Sequence, residues 1–167
     1  MSERARYPRR AALALLGGAA LAGCGFTPVY APGQAGARLR GALALREPVS
    51  RADYILAARV EERLGLASAA PYRLGYTITQ TTEDQAITAD QAIQRIGLQG
   101  MLDYTVTDTV AGRTLVSGRI MDFTGYNTTG TTVATRTAER DAERRLMVML
   151  ADRLVEELAV TGADWLP

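Results

Sequence analysis

Tyr72-Arg73-Leu74-Gly75-Tyr76-Thr77-Ile78-Thr79 places Tyr72, Leu74, Tyr76 and Ile78 on one side of an extended chain and Arg73, Gly75, Thr77 and Thr79 on the other. That period of two marks a strand with one buried and one wet face. After a polar, loop-like segment from Thr81 to Asp90 the pattern returns. Leu102, Tyr104, Val106 and Val110 alternate with Asp103, Thr105, Thr107 and Thr109. Ala111-Gly112 then makes a tight connection to Thr114 through Phe123, so these two strands read as an antiparallel hairpin. In the last of them Val116 and Ile120 face one way while Leu115, Met121 and Phe123 face the other, the pattern of a strand covered on both faces.

Upstream, Leu39, Gly41, Leu43 and Leu45 alternate with Arg38, Arg40, Ala42, Ala44 and Arg46, and Pro48 ends the run. Ser50 and Asp53 form a capping-box pair, Leu56, Val60 and Leu64 follow at helical spacing, and Gly65 supplies a stop, so residues 50 to 64 read as a helix. From about Thr132 to Leu158 a second amphipathic helix carries Ala138, Ala142, Leu146, Leu150, Leu154 and Leu158 as an i, i+4 stripe. The order β-α-β-β-β-α predicts an α+β, two-layer sandwich with two helices packed on a mixed four-stranded sheet. The expected domain occupies residues 37–160, with 161–167 as a C-terminal tail.

The N-terminus has a different organisation. Arg4, Arg6, Arg9 and Arg10 precede the apolar run Ala11 to Ala22, which is too short to span a bilayer core of roughly 30 Å. Leu21-Ala22-Gly23-Cys24 closes it as a lipobox, and Cys24 is the only cysteine in the chain. Residues 1–23 therefore read as a lipoprotein signal peptide and Cys24 as the lipidated mature N-terminus. The paired Arg9-Arg10 leaves both the general secretory and the twin-arginine routes open. Residues 24–36, rich in Pro and Gly, read as a lipidated tether. No second cysteine exists to form a disulfide, so stability has to come from a packed core.

Composition narrows the chemistry. There is no histidine, and lipidation would commit the one thiol. Ser50, Ser68 and Ser117 lack a nucleophile-elbow context. Adjacent acids such as Glu61-Glu62, Glu83-Asp84 and Glu156-Glu157 point to different faces, the arrangement of solvated surface. The expectation is a protein that is not an enzyme, with no catalytic residue, no metal and no cofactor. Removing Arg4, Arg6, Arg9, Arg10 and Glu3 from nineteen basic and eighteen acidic side chains leaves fifteen and seventeen, a net of −2. Nucleic acid is accordingly not an expected partner.

Cys24-Gly25-Phe26-Thr27-Pro28-Val29-Tyr30 closely resembles the mature start of the alphaproteobacterial lipopolysaccharide-assembly lipoprotein family, LptE. The resemblance continues through Arg95 to Tyr104, Gly125-Tyr126-Asn127, Ala138-Glu139-Arg140-Asp141-Ala142 and Leu150-Ala151-Asp152-Arg153-Leu154, so it covers the mature chain. Val133 departs from it, standing where relatives often carry an aromatic residue. The resemblance implies a periplasm-facing, lipid-anchored protein of the outer membrane. It also implies an LptD-like outer-membrane β-barrel as partner, which the protein would plug and help to assemble, and lipopolysaccharide as ligand. Gly25 after the cysteine fits outer-membrane sorting. Arg95 and Arg136 match basic family positions and are the expected lipopolysaccharide-binding residues, since a guanidinium forks onto phosphate in bidentate fashion. A lipoprotein serving another envelope transport system is the alternative reading.

Overall fold

The computed structural model describes residues 28–67, 69–87, 93–128 and 130–167. Cys24 and the expected signal peptide lie outside them. The chain runs α1 (Ala35–Arg38), β1 (Leu43–Leu45), α2 (Arg51–Leu64), β2 (Tyr72–Ile87), β3 (Ile93–Asp108), β4 (Thr114–Asn127) and α3 (Thr132–Trp165). The four strands form one sheet in the order β1-β2-β3-β4, with β1 parallel to β2 and the remaining pairs antiparallel. This is the expected α+β arrangement on a mixed four-stranded sheet.

One face of the sheet builds the core. Leu74, Tyr76, Leu98, Leu102, Tyr104, Val106 and Ile120 are buried in a single cluster with Leu56, Val60 and Leu64 of α2. Helix α3 adds the expected stripe at Ala142, Leu146, Leu150, Leu154 and Leu158. It also buries Met147, Ala151, Val155 and Ala159, one residue or about 100° further round, on the side where Asp152 meets Arg59 and Arg63 of α2. One stripe is used against the sheet and its neighbour against the other helix.

Several boundaries differ from the sequence reading. The expected strand over 39–46 shrinks to Leu43–Leu45, because Leu39 is buried at the end of the short helix α1. That helix begins inside the expected tether, and Ala35 belongs to the core, so the folded domain starts ahead of residue 37. At the other end α3 runs on through the expected tail to Trp165, whose ring meets Tyr72 edge-on at 5.4 Å, and Leu166 is buried. The polar segment from Thr81 is strand, not loop, as far as Ile87, and its remainder to Asp90 lies outside the described residues. Register continues through Thr81↔Gln99, Thr82↔Leu98, Glu83↔Gly97 and Asp84↔Ile96, held by backbone pairing where exposed side chains leave no alternation to read. Val110 lies in the β3–β4 turn, where Asp108 Oδ1 accepts from the Val110 and Ala111 N–H groups at 2.8 Å.

The second face of β4 is uncovered among the described residues: Met121 is 54% and Phe123 74% exposed. Their apolar character follows from sequence, but α2 and α3 both pack on the opposite side of the sheet. Val133 is exposed as well, so the departure at that position costs no packing contact.

Candidate functional site: an arginine-lined cleft at the sheet edge

At the end of the sheet remote from Trp165, β3 begins, β4 ends and α3 starts. Thr131 caps α3 by accepting from the Ala134 N–H, and Thr135 Oγ1 donates to the Thr128 carbonyl, tying the helix to the end of β4. Between them opens a cleft of roughly 480 Å³ lined by Arg95, Gly125, Tyr126, Asn127, Asp141 and Arg145, with Ala134 and Ala138 beneath.

Arg95 lies inside β3, paired in register with Asn127, and not in a loop ahead of the strand. Its Nε donates to Gln85 Oε1 at 3.3 Å. Gln85 reaches it by folding over Gly97, where an added Cβ would collide with the Gln85 amide nitrogen. From the helix, Arg145 Nη2 donates to the Gly125 carbonyl at 3.3 Å, while its Nη1 pairs with Asp141. Asp141 is shared with Arg144, at 2.8 Å. Tyr126 closes the floor. Burial pushes its phenol above the ordinary range, and the nearby charges of Glu139 and Asp84 add to that, so it remains a neutral hydroxyl.

Of the two arginines expected from sequence, the cleft contains Arg95. Arg136 is exposed on α3 outside the lining, with no ion-pair partner among the described residues. The fold brings Arg145 into the cleft beside Arg95. Nothing in the helical pattern singled out Arg145, because an arginine four residues after an aspartate has the spacing of an ordinary solvated helix pair. Among the described residues no cluster of three or more Cys, Asp or Glu could hold a metal ion.

The other ion pairs are architectural. Arg59 and Arg63 both reach Asp152 across the helix pair, at 2.8 and 2.6 Å. Arg153 Nε meets the buried Asp122 at 2.7 Å, fixing α3 to β4. None of these lines the cleft.

Fold and cleft together define an α+β domain with a basic notch at one sheet edge, and solved structures share that fold. A Caulobacter crescentus CB15 protein described as a candidate lipoprotein superposes with a TM-score of 0.63 at 18% identity, covering 77% of this chain and 96% of that one. Rare lipoprotein B from Shewanella oneidensis gives 0.59 at 13% identity, covering 74% and 96%. A minor lipoprotein from Acinetobacter baumannii gives 0.52 at 13% identity, covering 71% and 89%. No protein-family model matches the chain, and no curated protein is significantly similar to it in sequence. The likeness is one of fold.

Proposed function

We propose that this protein is an outer-membrane lipoprotein of the lipopolysaccharide transport machinery. It is anchored through Cys24, plugs and assists the assembly of an LptD-like β-barrel, and binds lipopolysaccharide. The observation that carries the reading is the bare outer face of the sheet. Thr77, Thr79, Thr81 and Gln99 present hydroxyl and amide groups there, beside the exposed Met121 and Phe123. Outer-membrane barrels have polar interiors, which such a face can hydrogen-bond, while two large apolar side chains supply anchoring contacts. The lipobox at Cys24 and the lipoprotein-like fold support the same reading.

Affinity purification of the mature lipidated chain from detergent-solubilised envelopes tests it. A large β-barrel should co-purify in near-equal amount, and Phe123→Asp should lower its recovery while leaving the circular dichroism spectrum unchanged. Metabolic labelling with a fatty acid should mark the wild-type chain and not Cys24→Ser, because a hydroxyl cannot take a thioether-linked lipid. Recovery of a different transporter with no barrel would favour the alternative, a lipoprotein of another envelope system.

A further inference from the structure

We propose that Arg95 and Arg145 form a two-sided clamp for a phosphorylated glycolipid head group, closing on the edge of β4 at Gly125, with Asp141 as the internal counter-ion that the ligand's phosphate displaces. This rests on the lipopolysaccharide-binding reading and adds to it a second arginine and a release mechanism.

The clamp follows from what meets at Gly125. A Cβ added there would lie 3.5 Å from Arg95 Nε and 3.6 Å from Arg95 Nη2, so one guanidinium lies over this residue from the sheet. Arg145 reaches the same residue's carbonyl from α3 at 3.3 Å. Any side chain at 125 would strike the Ile96 carbonyl at 2.9 Å, so glycine is what the backbone approach at this position requires, and the guanidinium lies over it at ordinary contact distance.

The charges are unevenly balanced. Among the described residues Arg95 is held only by the neutral Gln85 amide, and Arg144 and Arg145 share the single carboxylate of Asp141. Of these, Arg95, Arg145 and Asp141 line the cleft, with Asp84 and Glu139 near Tyr126 as the remaining acids, and displacing Asp141 leaves both guanidiniums to a phosphate monoester carrying roughly −1.5 to −2 at neutral pH. A planar carboxylate is served by one guanidinium fork. A tetrahedral phosphate offers oxygens to two forks arriving from different directions, which is what the two sides of the β4 edge supply.

Asp141 suits the role of displaceable counter-ion. Its pairs with Arg144 and Arg145 are i, i+3 and i, i+4 contacts on an exposed helix surface, the weakest class of ion pair. They keep Arg145 turned toward Gly125. An entering phosphate exchanges one carboxylate for a more highly charged group.

The test uses the full mature chain in detergent, with fluorescent bisphosphorylated lipid A and its dephosphorylated form as probes. Arg95→Gln and Arg145→Gln should each weaken binding of the bisphosphorylated probe by about tenfold or more, the scale of one charge-assisted contact. Arg136→Gln should leave it unchanged, and Asp141→Asn should tighten it. Binding of the dephosphorylated probe should not respond to any of the four. If Arg145→Gln binds like wild type while Arg95→Gln does not, the clamp is wrong and the lipopolysaccharide reading survives. If Asp141→Asn weakens binding, Asp141 positions the cleft and the displacement mechanism is wrong. Titration of the wild type with inorganic phosphate at low salt, followed through the Nε–H resonances of Arg95 and Arg145, separates the two readings. Joint saturable shifts without lipid A binding would keep the clamp and remove the glycolipid, whereas no shift in either resonance and no lipid binding would overturn both.

Discussion

Asp53 shows how one side chain can set an element's start and its pH response together. Its carboxylate is buried, accepts from the Val49 and Ser50 N–H groups at 3.1 Å, and pairs with Arg46 Nη2 at 2.6 Å, while Ser50 Oγ accepts from its own N–H. Burial raises the carboxyl's pKa, but the hydrogen bonds from Val49 and Ser50 and the Arg46 charge outweigh it, so the group sits below its ordinary value. A depressed carboxyl contributes stability that is complete above its unfolded-state pKa and is lost as pH falls through the folded one. Asp53→Asn should therefore cost about 2–4 kcal/mol at pH 7. Below pH 4 the gap between variant and wild type should narrow. Urea unfolding midpoints from pH 7 to pH 2 check this, and parallel curves would show that Asp53 is not charged in the fold. Ser50 and Asp53 were legible in sequence as a capping pair because both partners are local. Arg46 was not, since it is read there as the wet face of a strand.

At the scale of elements, α3 was legible where it touches the sheet and illegible where it touches α2. The 146, 150, 154 spacing is the signature of a single face against a single partner. A helix packed on two partners buries a second stripe, and at Met147, Ala151 and Val155 the small residue Ala151 adds little hydrophobic signal. Leu150→Asp should unfold the domain or lower its stability by more than about 4 kcal/mol, since a carboxylate with no partner would lie at a position that is 0% exposed. Glu143→Gln should move it by less than about 0.5 kcal/mol. Thermal unfolding of the two variants decides, and equal midpoints would contradict the packing described. The cleft was half legible for a related reason. Arg95 could be placed near the third strand, but the β2–β3 pairing through Thr81 to Asp84 that carries β3 back to Arg95 has no apolar periodicity, and the separate β3–β4 register is what sets Arg95 beside Asn127. Arg145 enters the cleft only through the angle at which α3 leaves β4.

At the scale of the whole molecule, the segment ahead of α1 is fastened down, and the fastening would set how the domain hangs from a lipid on Cys24. Tyr30 packs on Gly36, where an added Cβ would meet the ring at 2.8 Å and the Val29 carbonyl at 2.8 Å. The Gly36 N–H donates to that same carbonyl at 3.1 Å. The Tyr30 hydroxyl is the largest influence holding Arg63 of α2 above its ordinary pKa, against the opposing effect of burial, with Asp152 of α3 adding to it. Ala35 in turn lies against Gly162, where an added Cβ would come within 3.0 Å of it. If Cys24 carries the lipid as proposed, only three residues separate it from Pro28, four steps of chain with a reach of at most about 14 Å. The anchor then leaves from the C-terminal end of α3, and the arginine cleft stands at the far end of β3, thirteen residues or roughly 44 Å away. Gly36→Val should expel Tyr30 and free the chain as far as Ala35, lengthening the leash to about 38 Å. The sole tryptophan, Trp165, lies at the anchored end, so energy transfer from it to a dansyl lipid in vesicles reports the change directly. Transfer should be strong for the lipidated wild type and weaker for Gly36→Val and Tyr30→Ala, with the unfolding midpoint of Tyr30→Ala falling only slightly. Transfer that stays at the wild-type level in both variants would mean that the contact between Tyr30 and Gly36 does not set the distance between domain and bilayer.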